Sequence, residues 1–201
     1  RDLKTACPSV SHLTIKNISV FGSKPGIGTT HIAIALASTL TANGYPAVYT
    51  ERNGNNHLRS MLQEHPAVKE QNGICYYKYF RGIPDYGQGI EPPDSGDAIY
   101  VKDFGVYQKD IIELGPENFN LFILSGSPWD LAQTISTGLE LSRRGNTAFI
   151  CNYNNQSSAK KLAGKLGCKV YCFPFDGDAF TCTETKTDLF FHVLSFERGK
   201  K

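Results

Sequence analysis

A glycine-rich segment between an apolar run and a helix-like run constrains this chain more than any other feature. Residues 23–30 read SKPGIGTT, after the apolar residues 18–21 and before HIAIALA at 31–37. A strand, a glycine loop and a helix in this order form a cradle whose backbone N–H groups converge on phosphate oxygens. The common form of the loop also has a lysine for the phosphates and a Ser or Thr hydroxyl for magnesium.

Here Thr29 stands at the lysine position, Thr30 keeps the hydroxyl, and another lysine, Lys24, lies near the loop start. The segment predicts an altered phosphate-binding loop. A plain strand-to-helix turn is the alternative, because short glycine motifs recur by chance.

The lysine near the loop start gives the segment a family resemblance. The pattern K-x-G-x-G-x-T at residues 24–30 resembles the deviant phosphate loop of the MinD/ParA class of ATPases. In that class the early lysine reaches across a dimer to the partner's nucleotide, so the resemblance implies a catalytic role for Lys24. Two positions depart from the pattern: Pro25 replaces a glycine and Thr29 replaces the in-loop lysine. The resemblance implies nucleotide contacts from Lys24, Gly26, Ile27, Gly28, Thr29, Thr30 and, if it is protonated, His31. A bystander role is the alternative for His31.

Composition indicates an ordinary globular protein. Hydrophobic residues make up 40% and charged residues 20% of the chain, which argues against disorder. The 201 residues suit one domain, with residues 64–97 as an insertion or lid. A net charge of +2 gives no electrostatic reason to expect a nucleic-acid partner. Six cysteines do not suggest a disulfide-dense secreted scaffold, so we expect a cytoplasmic protein.

Alternating strand and helix patterns predict an α/β fold. A doubly wound, mainly parallel sheet with helices on both faces is expected, as in P-loop NTPases. Predicted strands are residues 17–22, 47–50, 99–101, 121–124, 147–151 and 169–172. Predicted helices follow the loop to residue 42 and then cover 56–63, 110–114, 130–143, 158–166 and the segment around 190–194. Leu131, Ile135 and Leu139 are spaced to share one buried helix face. Residues 64–97 are rich in tyrosine and glycine. They predict a small hairpin over the sheet, a partner surface or a mobile lid.

Polar residues at two strand ends are candidates for phosphate chemistry. Asp103 follows an apolar strand and resembles the acid of the MinD/ParA class that holds the water shell of Mg²⁺ together with Thr30. Capping of the next turn is the alternative for Asp103. The second predicted strand ends in Glu51-Arg52-Asn53, where the family pattern has an Asp, any residue and a second Asp. Asn53 thus takes the catalytic position that orients the attacking water. Because an amide cannot act as a base, hydrolysis should be slow.

Two later segments resemble the base-binding parts of the same class. Asn152 ends the fifth predicted strand, where the family places an asparagine against adenine. Pro174 lies in FPFD at 173–176, which resembles the loop that closes over the base; a turn anchored by two core aromatics is the alternative. The guanine-selective pattern Asn-Lys-x-Asp is missing, so ATP is expected over GTP. ATP and Mg²⁺ are therefore the expected cofactors.

The motifs leave three functions open. The first is a slowly hydrolysing ATP switch that forms a homodimer and positions a protein partner in a larger bacterial assembly. The missing loop lysine and GTTH at 28–31 resemble the atypical TadZ/CpaE branch, which localises pilus-assembly or secretion machinery. Any membrane association is then peripheral and occurs through partners. The second is a pseudo-ATPase that serves as a binding scaffold. The third is an active partition or transfer ATPase that compensates for Thr29 elsewhere.

Overall fold

A computed structural model of the protein describes residues 15–85, 96–109, 117–143, 146–153 and 156–196. The strands are β1 (Asn17–Gly22), β2 (Ala47–Glu51), β3 (Lys69–Gln71), β4 (Ile74–Tyr77), β5 (Phe80–Ile83), β6 (Ile99–Val106), β7 (Asn118–Ser125), β8 (Thr147–Asn152) and β9 (Val170–Cys172). The α-helices are α1 (Thr29–Ala42), α2 (His57–Glu64), α3 (Leu131–Ser142), α4 (Gln156–Leu166) and α5 (Glu184–Leu194). A short 3₁₀ turn, Pro128–Asp130, precedes α3. The helix expected at residues 110–114 lies outside the described residues.

The described strands form one nine-stranded sheet in the order β3-β4-β5-β2-β6-β1-β7-β8-β9. Every neighbouring pair from β5 to β9 in this order is parallel. Buried residues of α1 and α5 belong to one apolar cluster and those of α3 and α4 to another, so helices cover both faces. The predicted doubly wound α/β fold is confirmed. Because its strands are parallel, their carboxyl ends meet at one edge of the sheet.

The tyrosine-rich region extends the sheet instead of lying over it. Strands β3, β4 and β5 form antiparallel pairs, and β5 then joins β2 in parallel. Phe80 is buried and packs against Tyr49 with ring centroids 5.7 Å apart. Tyr76 and Tyr79 remain exposed, so the expected partner surface stays a prediction.

Two sequence expectations need correction. The strand expected at 99–101, ahead of Asp103, instead continues to Val106, so Asp103 lies inside β6. A register shift between Val20 and Gly22 of β1 lies opposite this stretch. In α3 the residues expected on the buried face are only partly buried. The buried positions of that helix are Thr134, Gly138 and Leu141.

No helix in the described part of the chain has the length and apolar character needed to cross a membrane.

Candidate nucleotide-binding site

The glycine loop connects β1 to α1 through two left-handed glycines. Gly26 has φ +71° and Gly28 has φ +90°, and α1 begins directly after Gly28. L side chains rarely adopt this region, which explains glycine at both positions. The first N–H groups of a helix have no partner within the helix and carry its positive dipole end. A cleft of about 770 Å³ opens over the loop and the start of α1. The loop therefore has a geometry suited to phosphate.

Thr29 is turned back towards the sheet. It is 7% exposed, and a Cβ added to Gly22 would overlap its Oγ1 atom. Gly22 is thus required for the close packing of the loop on β1, a constraint that sequence reasoning missed. The Ile27 side chain is also buried, which leaves only the backbone of Ile27 for a ligand. Neither residue supplies the positive charge that the common loop lysine provides.

Thr30, Asn53 and Asp103 meet beside the loop. The Thr30 hydroxyl donates to Asp103 Oδ2 at 2.6 Å, and Asn53 Nδ2 donates to the same oxygen at 2.7 Å. The backbone N–H of Gly105 donates to Asp103 Oδ1 at 2.9 Å. Asp103 is fully buried, whereas Thr30 and Asn53 line the cleft. A carboxylate that is shielded from solvent needs such donors, and two of the residues that supply them here line the cleft.

Tyr49 completes the shell around Asp103. Its hydroxyl donates to Asp103 Oδ2 at 2.9 Å, and the residue is fully buried. Burial, then the charges of Asp103 and Glu51, raise the pKa of Tyr49 well above its ordinary value, so the phenol remains a donor. Sequence reasoning missed this residue because it reads as an ordinary strand aromatic. A buried tyrosine hydroxyl needs a hydrogen-bond partner, and only this general requirement could have suggested from the sequence that Tyr49 contacts a polar group.

Glu51 and Asn53 have different roles in the structure. Glu51 is fully buried, and its Oε1 accepts the backbone N–H of His57 at 2.7 Å. A carboxylate at this place stabilises the start of α2. Asn53 instead lines the cleft, and its Oδ1 accepts the N–H of Asn55 at 2.9 Å. Only Asn53 of this pair therefore faces the space above the loop.

Lys24 is paired within its own chain. Its Nζ lies 2.5 Å from Asp130 Oδ2, and Ser125 Oγ donates to the same carboxylate oxygen at 2.7 Å. Both hydrogen bonds lower the pKa of Asp130, that from Lys24 more strongly. The side chains of Lys24 and Asp130 are 33% and 20% exposed, so solvent screens the pair. An ion pair of this kind is weak enough to exchange for another partner.

Asn152 forms a hydrogen bond to the backbone of the glycine loop. Its Nδ2 donates to the carbonyl of Ile27 at 2.8 Å, and the residue is 5% exposed. A Cβ on Gly28 would overlap the same Nδ2 atom. The donor expected to read adenine is therefore committed to the loop. Asn152 also contributes to the wall of a second cleft, of about 520 Å³, whose other wall includes Pro174.

His31 lies between the two clefts. Its Nε2 is 4.0 Å from Asp176 Oδ2, and its ring packs edge-on against Phe173. Burial lowers the pKa of His31 more than the nearby Asp176 raises it. The lowered pKa favours the neutral imidazole, and the expected contact of His31 with phosphate stays a prediction.

A buried lysine fixes the loop that carries Pro174. Lys186 is fully buried, pairs with Asp176, and donates to the carbonyls of Asp178 and Thr181 at 2.9 and 2.5 Å. A buried ammonium group requires such compensation. Asp178 is linked to the hairpin by Lys78 at 3.1 Å. The loop is therefore attached both to α5 and to the turn between β4 and β5.

Replacing Gly28 with alanine should destabilise the protein more than the same change at Gly26. Both positions have positive φ, which costs a non-glycine residue about 1 to 3 kcal/mol. Only at Gly28 does the added Cβ overlap Asn152, whereas at Gly26 it meets nothing within 4 Å. Urea denaturation of the two variants measures the difference. Equal midpoints would contradict the packing of Asn152 against the loop.

Comparison with known proteins agrees with the fold of the chain. No protein-family model matches the chain, and no curated protein matches it by sequence. Solved structures do match. The MinD cell division protein of Aquifex aeolicus superimposes with a TM-score of 0.60 at 13% identity, covering 90% of this chain and 95% of that chain. A ParA family ATPase from Chlorobium tepidum gives 0.51 at 16% identity, covering 92% of both chains. The chain has the fold of the MinD and ParA ATPases. The MinC:MinD complex of Aquifex aeolicus also matches, with a TM-score of 0.54 at 12% identity, covering 90% of this chain and 94% of that chain.

Proposed function

We propose that this protein is an ATP-binding switch that hydrolyses ATP slowly or not at all. The observation that carries the proposal is the cluster of Thr30, Asn53 and Asp103 at the mouth of the glycine loop. It combines a helix N-terminus for phosphate with polar side chains of Thr30 and Asn53 in the cleft and a buried carboxylate next to them. The solved structures with the same fold include a ParA family ATPase, which supports the choice of nucleotide.

The residues present fit Mg²⁺ and ATP. Mg²⁺ prefers oxygen ligands and keeps several waters, with one or two protein oxygens and phosphates completing its shell. Thr30 lines the cleft, so its hydroxyl oxygen would coordinate the metal, and the buried Asp103 carboxylate that accepts from this hydroxyl would hold metal-bound water. The metal neutralises phosphate charge when it is bound. The loop N–H groups, the start of α1 and Lys24 of a second copy would then balance the remaining negative charge.

Slow hydrolysis follows from the side chains around this cleft. Thr29 carries no charge and is turned towards β1. Asn53 orients water but cannot take its proton. Loss of a charge-stabilising group in a phosphoryl-transfer site costs several kcal/mol of transition-state stabilisation. Ground-state binding loses less, because backbone N–H groups and the helix dipole remain.

Pairing and partner positioning complete the proposed switch. The partly exposed Lys24 makes a screened ion pair with Asp130, so a second copy with bound nucleotide can compete for it. One matching structure is a complex of MinD with MinC, which supports a protein partner as the target. We place the partner in a bacterial assembly for pilus formation, secretion or partition, as in the TadZ/CpaE branch.

A scaffold without nucleotide is the second candidate function. The observation that favours it is the hydrogen-bond network around the buried Asp103. Its carboxylate accepts hydrogen bonds from Tyr49, Thr30, Asn53 and Gly105 of the same chain. Such a network stabilises the fold by itself.

Sedimentation velocity with a parallel phosphate-release assay tests the switch. With MgATP the protein should shift from monomer to dimer, while phosphate release remains far slower than that of ordinary ATPases. ADP should not cause the shift. A monomer under all conditions favours the scaffold, and rapid turnover would contradict the proposed slow hydrolysis.

Restoring the loop lysine with Thr29→Lys should tighten ATP binding. A hydrogen bond to a charged group contributes about 1.5 to 3 kcal/mol, so affinity should rise about tenfold or more. Thr29→Met is the matched control, because it adds a long side chain without charge and should give no gain. Calorimetry measures both variants. No gain for lysine would mean that a side chain at this buried position does not reach the phosphates, or that the loop backbone, with Pro25 in it, is not shaped for phosphate.

A further inference from the structure

Charge is distributed unevenly along this chain, and the net charge of +2 hides the difference. The stretch 141–175 contains six Lys or Arg residues and no Asp or Glu, so it carries a formal charge of +6. The remainder of the chain therefore carries a formal charge of −4. Helix α4 lies within the positive stretch, and the structure describes this helix in full. Positive charge is thus concentrated around α4.

One face of α4 packs on the protein and the other presents lysines to solvent. The buried positions belong to the apolar cluster that α4 shares with α3, and they are Ala159, Leu162 and Leu166. The exposed lysines of the helix are Lys160, Lys161 and Lys165. Because successive helical residues turn by about 100°, these three lysines fall within an arc of about 140°. They form one continuous basic surface.

These three lysines have no acidic partner among the residues that the structure describes. The described lysines that form ion pairs are Lys24, Lys78 and Lys186. Like charges four positions apart on a helix, as in Lys161 and Lys165, lower the stability of the helix. The first turn of α4 also lacks the acidic residue that would suit its dipole. The charges of α4 therefore do not serve the stability of the helix, and an acidic partner outside this chain would offset them.

Gly164 lies between the lysines on the same surface. It is exposed, and a Cβ added there would meet no atom within 4 Å. Alanine would fit this position and would favour the helix, since glycine is a poor helix former. No contact in the described structure requires glycine here. A glycine on a helix surface allows another backbone to approach closely, which is the arrangement that a partner helix packed across α4 would need.

The surroundings of this surface favour an acidic protein segment over other anionic partners. Helices that lie on membranes also present large apolar side chains, and none of the exposed large hydrophobic residues of the described chain is on α4. A nucleic-acid duplex or a bilayer would also face the acidic remainder of the chain, whereas a short helix covers α4 alone. Acidic side chains one turn apart on such a helix match the spacing of Lys161 and Lys165.

We propose that the lysine face of α4, formed by Lys160, Lys161, Gly164 and Lys165, binds an acidic helix of a partner protein. The lysines pair with carboxylates of that helix, and Gly164 lets its backbone come close. The lysine face lines neither of the two clefts, so the contact needs no nucleotide. It adds a class of partner to the proposed function, and its failure would leave nucleotide binding and pairing untouched.

Fluorescence anisotropy without nucleotide tests the proposal. The probe is a labelled, alanine-based helical peptide that carries glutamates four residues apart. Binding should be saturable and should weaken as salt is added, because salt screens exposed ion pairs. The same peptide with glutamine in place of glutamate should not bind. The triple variant Lys160→Gln, Lys161→Gln, Lys165→Gln keeps good helix formers and should weaken binding about tenfold or more.

A second triple variant, Lys16→Gln, Lys69→Gln, Lys109→Gln, is the matched control. It removes the same charge from exposed lysines outside α4 and should bind the peptide as the unmodified protein does. Gly164→Ala should raise the urea midpoint and yet weaken peptide binding about threefold or more, because the added methyl group keeps the two backbones apart. Circular dichroism confirms that each variant is folded.

Absence of binding to the glutamate peptide, or an equal loss in both triple variants, would overturn the lysine face as a docking site. Unchanged affinity in Gly164→Ala would overturn the close approach at this residue. Duplex DNA or vesicles of anionic phospholipid are the remaining probes. If either bound more tightly than the peptide, and the α4 triple variant lost that binding, the choice of a protein partner would be wrong.

Discussion

Asp103→Ala is expected to destabilise the fold and to remove the magnesium dependence of ATP binding. The change leaves the buried Tyr49 hydroxyl without its acceptor, and an orphaned buried donor costs about 1 to 3 kcal/mol. It also removes the acceptor of Thr30 and Asn53, so further cost is expected from those two residues. Urea denaturation measures the stability, and calorimetry with and without Mg²⁺ measures the binding.

The double variant Asp103→Ala with Tyr49→Phe separates the two effects. Removal of both partners of a buried hydrogen bond costs less than removal of one. Part of the lost stability should therefore return, whereas magnesium-dependent binding should not. If Tyr49→Phe restored nothing, the hydrogen bond between Tyr49 and Asp103 would not be the source of the lost stability.

Lys24→Ala is expected to abolish ATP-dependent pairing without unfolding the protein. Its partially exposed side chain makes one screened ion pair with Asp130, and such pairs contribute about 0 to 1 kcal/mol to stability. Its loss removes the charge proposed to reach the nucleotide of a second copy. Sedimentation velocity at saturating MgATP measures pairing. Unchanged dimerisation of Lys24→Ala would contradict the role of this lysine.

Asp130→Asn provides the opposite test of the same contact. The amide keeps the size of the side chain but removes the charge that holds Lys24 within its own chain. If the ion pair competes with dimerisation, Asp130→Asn should dimerise at the same protein concentration as the unmodified protein or at a lower one. The decrease should be about fivefold at most. Loss of dimerisation in Asp130→Asn would instead show that the pair of Lys24 with Asp130 is itself required.

The elements that sequence predicts well are those set by local patterns. The apolar run, the glycines and the helix-like run define β1, the loop and α1 with little help from distant residues. The nearness of Thr30 and Asn53 was also predictable, because parallel strands bring their carboxyl ends to one edge, and these residues follow the ends of β1 and β2.

The missed features depend on contacts between distant parts of the chain. Asp103 lies inside β6 because the strand continues past it, opposite an irregularity in β1. Asn152 is tied to Ile27, and Lys24 to Asp130; both contacts join residues more than a hundred positions apart. Strand pairing is equally non-local, so the place of β3, β4 and β5 at the sheet edge had no signal in their own residues.

Calorimetric titration of the purified protein with ATP in the presence of Mg²⁺ tests the central claim most directly. The account predicts saturable binding at one site per chain, tighter with Mg²⁺ than without it, because Thr30 and Asp103 are expected to hold the metal. Absence of binding at millimolar ATP would contradict the claim and leave a fold whose phosphate loop serves only the structure of the protein.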